Sequence, residues 1–104
     1  MIGANQETQQ IAELILRRRL QMLIHSRLYY TLDQPIWSDW EFTEKAKELA
    51  ELQEKYPDIS KKVEWYEEFE DWDGSSGAFL PLNHTWVVVR TNYILKLHEV
   101  RKKG

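Results

Sequence analysis

The nine residues Asp33-Gln34-Pro35-Ile36-Trp37-Ser38-Asp39-Trp40-Glu41 carry a stop signal and a start signal for helix, and they lie between two long runs of helical periodicity. Proline disfavours helical geometry in the residue before it, so Pro35 ends the helix that precedes it. Ser38 followed three residues later by Glu41 is a capping-box pattern, in which the serine oxygen accepts a first-turn amide of a new helix. Asp39 stands in that first turn, where the helix dipole favours negative charge. A chain punctuated in this way predicts an antiparallel helical hairpin turning at residues 33–38.

The run before the turn predicts a helix over residues 7–31. Ile11, Ile15, Met22 and Tyr29 fall on one stripe, and Leu16, Leu20, Leu23 and Tyr30 on a second, well round the helix. A helix apolar on more than one side is buried on more than one side. Its second face therefore meets either a C-terminal helix of the same chain or another copy, so a homo-oligomer is one expectation. Arg17, Arg18 and Arg19 point in three directions, because successive residues turn by about 100°. They are expected as solvated flanks of the buried stripes.

The run after the turn predicts a helix over residues 39–55 with Phe42, Ala46, Leu49, Leu52 and Tyr56 facing the core. Glu41 with Lys45 and Glu51 with Lys55 are favourable pairs on its wet side, and Pro57 ends it. Asp58 is placed to cap a shorter helix over residues 59–69, where Trp65, Phe69 and Trp72 recur among acidic residues. Residues 73–77, Asp-Gly-Ser-Ser-Gly, form a loop. A last helix is expected over residues 84–102 with Asn83 as its cap. Trp86, Val89, Tyr93, Leu97 and Val100 form its stripe, and Arg101, Lys102 and Lys103 suit its C-terminus. Residues 86–89 alone also read as strand, but the longer periodicity and the lack of a partner strand favour helix. The expected fold is one all-α domain over residues 1–104. A hairpin at 11–59 is covered by an acidic segment and a C-terminal helix at 60–104.

Composition removes several function classes. The 104 residues include no cysteine, which excludes disulfides, thiolate catalysis and cysteine-ligated metals. The net charge of −3 weighs against direct nucleic-acid binding, which favours a basic excess. No apolar run approaches the ~18 residues of a membrane span. The first ten residues lack the pattern of a signal peptide, so the cytoplasm of a bacterial host is the expected location. There is no phosphate-binding glycine loop, HExxH or zinc spacing. His25, His84 and His98 lie on separate elements and are expected to be structural or solvated. Asp71 to Gly74 resembles the start of a calcium loop, but the twelfth position is Leu82, where a bidentate glutamate is needed. Ser75 and Ser76 read as a flexible turn, with no base placed to activate them. No metal site and no catalytic residue are expected.

The acidic aromatic run is more informative. Trp65, Glu67, Glu68, Glu70, Asp71 and Trp72 read first as a solvated acidic face over buried rings. They read second as an interaction surface for a basic patch on an unknown protein partner, since aromatics are common binding anchors.

Tyr29, Tyr30, Asp33, Pro35, Ser38, Asp39, Glu41 and Phe42, with His25 before them and residues 48–59 after them, resemble the N-terminal helical domain of bacterial NAD-dependent DNA ligases. The resemblance covers roughly residues 11–59. The chain as a whole, including residues 66–77, resembles small ligase-like phage proteins. In the ligases this domain holds the nicotinamide mononucleotide half of NAD between two aromatic rings, with carboxylates and a polar ring group on the ribose and phosphate. The resemblance implies Tyr29 as the first ring, Tyr30 as the polar partner, Asp39 as the first carboxylate and Phe42 as the second ring. A cationic pyridinium favours π-faces and nearby carboxylates. Two positions depart from the family. Phe42 replaces a tyrosine, and Thr43 replaces a second aspartate. Both changes weaken a nicotinamide site, and Trp40 adds a bulky neighbour. The ligases also need a Lys-x-Asp-Gly nucleophile, and Asp71-Trp72-Asp73-Gly74 has no lysine to take AMP. The reading is a non-enzymatic accessory or interaction protein of phage origin with no resident cofactor. Its alternative is a binding module for nicotinamide mononucleotide, NAD or a related derivative.

Overall fold

The computed structural model describes the backbone of residues 4–103 and the side chains of residues 6–99. The hairpin forms where the sequence places it. Helix α1 (Ala4–Ser26) opens into a π-helical turn (Arg27–Thr31), and α2 (Asp39–Lys55) returns. Ser38 caps α2: its Oγ accepts the Glu41 amide at 3.1 Å. The reciprocal half of the capping box is replaced by the Ser38 hydroxyl donating to Glu41 Oε1 at 3.4 Å. Contacts between the helices recede from the turn along both. Tyr29 stacks beside Phe42, Arg18 pairs with Glu48 at 3.0 Å, and Arg19 reaches Gln53, so the pair is antiparallel.

Three more helices complete an all-α fold with no strand among the described residues: α3 (Pro57–Ser60), α4 (Tyr66–Phe69) and α5 (Thr85–Lys103). Helix α1 is central and packs against α2, α3 and α5, so its second apolar face is met within the chain. The core gathers Ile15, Met22 and Leu23 from α1 with Ala46, Leu49, Phe69, Leu80, Leu82 and Val87.

Arg19 departs from the expectation of a solvated arginine. It is fully buried in the middle of α1. Its Nε donates to Gln53 Oε1 at 2.9 Å. Nη1 donates to the carbonyls of Val63 and Glu64 at 2.9 and 3.0 Å. Nη2 donates to the carbonyl and hydroxyl of Ser60 at 3.2 and 2.6 Å. A buried charge is costly unless fully hydrogen-bonded, and here its partners are neutral dipoles. Burial pushes the guanidinium down to about 10, against some upward pull from Glu68. It stays charged at neutral pH.

This grip explains the second departure. The carbonyls of Val63 and Glu64 are ones that a continuous helix would commit to its own amides. With Arg19 taking them, the expected helix over residues 59–69 breaks into two single turns. Trp65 between them adopts a left-handed conformation with φ of 71°. Asp58 is not a cap, because Pro57 occupies the first position of α3 behind Tyr56, which makes no capping bond.

Other expectations fail for local reasons. His84, not Asn83, accepts a first-turn amide of α5, with its Nδ1 3.1 Å from the Trp86 nitrogen. Asn83 Oδ1 instead accepts from Arg27 Nη1 at 3.1 Å, and the same group donates to the Leu82 carbonyl at 2.8 Å. Glu41–Lys45 and Glu51–Lys55 form no ion pair. Arg18–Glu48 is the one salt bridge among the described residues. Of the expected stripe on α5, Trp86 packs against the core, but the residues after it do not. Val87 and Thr91 are buried, whereas Val89, Tyr93 and Leu97 are 62%, 53% and 41% exposed. Thr91 can be buried because its hydroxyl donates to the Val87 carbonyl at 2.6 Å. Residues 86–89 are apolar on every side, so periodicity does not select one face. The side chain of Val100 lies outside the described residues.

The turn is locked by His25, whose ring stacks on Trp37 at 3.6 Å between centroids and 6° between planes. Burial lowers its pKa from 6.5 to about 4.

Two outcomes are expected. Replacing Arg19 with leucine leaves the carbonyls of Val63 and Glu64 and the Ser60 hydroxyl without their donor and lowers stability by at least about 3 kcal/mol in urea unfolding. Arg19→Lys does not restore it, since an ammonium lacks the planar fork. For His25, the unfolded imidazole takes a proton below about pH 6.5 while the folded one stays neutral to about pH 4. Stability contributed by the neutral ring is therefore lost as pH falls through that window, by about 2–3 kcal/mol. His25→Phe keeps the stack on Trp37, and its unfolding midpoint should fall less than that of the parent between neutral pH and about pH 4.5.

Candidate functional site at the hairpin turn

The last turn of the first helical run is wider than an α-helical one. The Leu32 amide reaches the Arg27 carbonyl at 3.0 Å and the Gln34 amide reaches that of Leu28 at 2.8 Å. Such π-helical turns are short and recur at functional sites. Leu28 is buried, while Tyr29 and Tyr30 are both exposed. Asp33 follows with φ of 52° and breaks the helix.

The structure brings together Tyr29, Tyr30 and Phe42. Tyr29 and Phe42 are nearly parallel, with centroids 6.0 Å apart and 27° between planes. Tyr30 meets both edge-on, at 4.9 Å from Tyr29 and 6.5 Å from Phe42. A flat ligand ring held between two others needs about 7 Å between them, two contacts of about 3.5 Å each. The Tyr29 and Phe42 centroids stand closer than that at 6.0 Å, so the exposed Tyr29 ring has to turn aside to admit a ligand ring. Asp39 lies three residues before Phe42 in the first turn of α2 and is exposed, on the same helix face.

The loop after α4 lies against this cluster. The Ser76 hydroxyl donates to the Tyr30 oxygen at 3.3 Å. A side chain at Gly77 would fall on Ser26 Oγ and press on the Phe42 ring, so only glycine allows this approach. The hydroxyl of Tyr30, the polar group implied by the resemblance, is thus held by a segment that reads as a flexible loop in the sequence.

The same loop borders a cleft of about 360 Å³ lined by Glu67, Glu68, Asp71, Trp72, Asp73 and Phe79, among others. Trp72 is fixed by its Nε1 donating to the Ser76 carbonyl at 2.7 Å. The hydroxyl and amide of Ser75 hold the Asp73 carboxyl below its ordinary range. Phe79 is 96% exposed. Of the six expected interaction residues, Glu67, Glu68, Asp71 and Trp72 line this cleft. Trp65 is drawn away to pack on His84 and Trp86, at 5.0 and 6.0 Å between centroids, and Glu70 faces a smaller hollow beside Gln53. Phe79 was not legible as a site residue. Its one signal is an aromatic two residues after the Asp-Gly-Ser-Ser-Gly loop.

Among the described residues no group of histidines and carboxylates is arranged to hold a metal ion, and no helix is long and apolar enough to cross a membrane.

No protein-family model matches the chain, and no solved structure matches it. Curated relatives do. A DNA ligase of Christiangramia forsetii is 42% identical over 86 residues, covering 83% of this chain and 10% of the ligase. A DNA ligase of Chlamydia trachomatis serovar A is 29% identical over 82 residues, 79% of this chain and 12% of that protein. A DNA ligase of Anoxybacillus flavithermus is 50% identical over 48 residues, 46% of this chain and 6% of the ligase. The chain spans about a tenth of the length of the first two. Over about four-fifths of its length this chain is therefore homologous to a short stretch of DNA ligases, consistent with a ligase-like N-terminal domain.

Proposed function

We propose that this chain is a non-enzymatic accessory protein of phage origin that uses a ligase-like helical hairpin as a scaffold for binding a basic protein partner. The observation that carries this reading is the acidic cleft. Glu67, Glu68, Asp71 and Asp73 surround Trp72 and the bare ring of Phe79. An aromatic anchor ringed by charge has the make-up of a docking surface, where the ring supplies affinity and the charges supply steering. The absence of a Lys-x-Asp-Gly motif from these 104 residues supports a role without adenylation chemistry. The phage assignment is supported only by the resemblance of the chain as a whole, residues 66–77 included, to small ligase-like phage proteins. The test is fluorescence polarisation with a lysine-rich, aromatic-containing peptide beside an acidic one. The basic peptide should bind, weaken with salt, and lose at least about tenfold in affinity with Phe79→Ala or with Glu67→Gln, Glu68→Gln and Asp71→Asn together. Equal binding of both peptides, or no loss in the variants, would overturn it.

A second reading rests on the near-parallel Tyr29 and Phe42 rings. It takes the turn as a slot for a nicotinamide nucleotide, with Asp39 as counter-charge. Calorimetric titration with nicotinamide mononucleotide and NAD should then give saturable binding that weakens in Asp39→Ala. No heat and no thermal shift at millimolar ligand would remove this reading.

A further inference from the structure

Residues 73–77 are pinned at both glycines. Gly74, with φ of 84°, rests on α2, where a side chain would meet the Ala46 carbonyl at 3.0 Å and the Ala50 side chain at 3.2 Å. Gly77 is buried against Ser26 and the Phe42 ring. Only Ser75 and Ser76 lie between these fixed points, and Ser76 bonds in two directions. Its hydroxyl accepts the Ala78 amide at 3.2 Å and donates to the Tyr30 oxygen at 3.3 Å, while its carbonyl accepts the Trp72 indole N–H at 2.7 Å. Packed groups with so little freedom pass displacement on rather than absorb it. We propose that Ser76 couples the two sites: a flat ligand that opens the aromatic trio at the turn loosens Trp72 and so weakens the hold of the acidic cleft on a basic partner.

Tyr29 and Phe42 stand 6.0 Å apart, too close to admit a ring until Tyr29 turns aside. Tyr30 packs edge-on against Tyr29 at 4.9 Å, so it is displaced with it. The contact between Tyr30 and Ser76 is long for a bond between hydroxyls, and it gives way before the shorter one to Trp72. Once it is broken, Ser76 has lost its tie to the turn, and the Trp72 ring gains freedom with it. Asp73 of the cleft is tied to the same span through the Ser75 amide and hydroxyl, at 2.9 and 2.6 Å. A loosened anchor binds less tightly, because ordering it again costs side-chain entropy. By linkage the effect is reciprocal, and a partner that pins Trp72 in the cleft opposes ring entry at the turn. The loss of partner binding rests on the acidic cleft as a docking surface, whereas the tie from Tyr30 to Trp72 does not.

Tyr30 does not line the cleft, so its effect on Trp72 has to pass through the loop. Tyr30→Phe keeps the ring and drops the hydroxyl. In this variant the Trp72 indole signal should move in a proton–nitrogen correlation spectrum and exchange with solvent at least about threefold faster, while those of Trp65 and Trp86 stay in place. Ser76→Ala keeps the carbonyl that holds Trp72 but removes the link, so Tyr30→Phe should add nothing in that background. The lysine-rich peptide that probes the cleft should lose at least about threefold in affinity in Tyr30→Phe. Millimolar nicotinamide mononucleotide should weaken the same peptide in the unaltered protein and leave it unchanged in Ser76→Ala. A Trp72 signal unmoved by Tyr30→Phe overturns the coupling. So does a shift that persists in the Ser76→Ala background, or a peptide affinity indifferent to the nucleotide. An unaltered protein that does not bind the peptide removes the docking reading instead, and the Trp72 signal then decides the link alone.

Discussion

The guanidinium of Arg19 is the fixed point of this fold. It sits inside the central helix, carries a full charge and is enclosed on every side. A charge can remain there only if each of its donors finds an acceptor. Those acceptors come from α2, from the end of α3 and from the bend that follows it. Gln53 extends the network, its Nε2 donating to the Phe69 carbonyl at 3.3 Å, while Phe69 itself lies under the guanidinium at 5.9 Å. Four elements are therefore placed by the demands of one side chain. The hydrophobic cluster around Ile15, Leu49 and Phe69 supplies the bulk of the driving force. Arg19 supplies the register in which those residues meet.

A smaller set of contacts places the hairpin turn. Arg27 ties the π-helical turn to Leu82 and Asn83, His25 clamps Trp37, and Gly77 lets the loop settle on Ser26. The aromatic trio and the acidic cleft then share the loop between them, one through Ser76 and Tyr30, the other through Trp72 and the Ser76 carbonyl. A ligand or partner that moved this loop would be felt on both of its sides.

What was legible in the sequence is what is decided locally. Pro35, Ser38 and Glu41 announce the turn and the second helix because stopping and capping involve neighbours only. Tyr29 and Phe42 were matched through a resemblance, and the coordinates place their rings side by side. The break at residues 61–65 was not legible, since its cause is an arginine more than forty residues earlier. A burial that depends on distant carbonyls leaves no periodic trace, and an arginine beside two others reads as solvated. The orientation of α5 was not legible either. A helix with apolar residues on all sides carries no preferred face until its neighbours choose one. Phe79 escaped because exposure of a lone ring is a property of the folded surface alone.

The acceptors of Arg19 carry one more implication. Most of them belong to the main chain, and a carbonyl is present whatever residue supplies it. The exposed side chains at positions 61, 62 and 64 are thus free to drift over generations without loosening the clasp, as long as the backbone there keeps its path, whereas Val63 also packs against the core. Position 60 is bound more closely, since its hydroxyl takes part, and so is position 53. Descendants of this chain should accordingly show relaxed spelling at 61, 62 and 64 and constrained letters at 53, 60 and 63, a pattern set by geometry rather than by any task the protein performs.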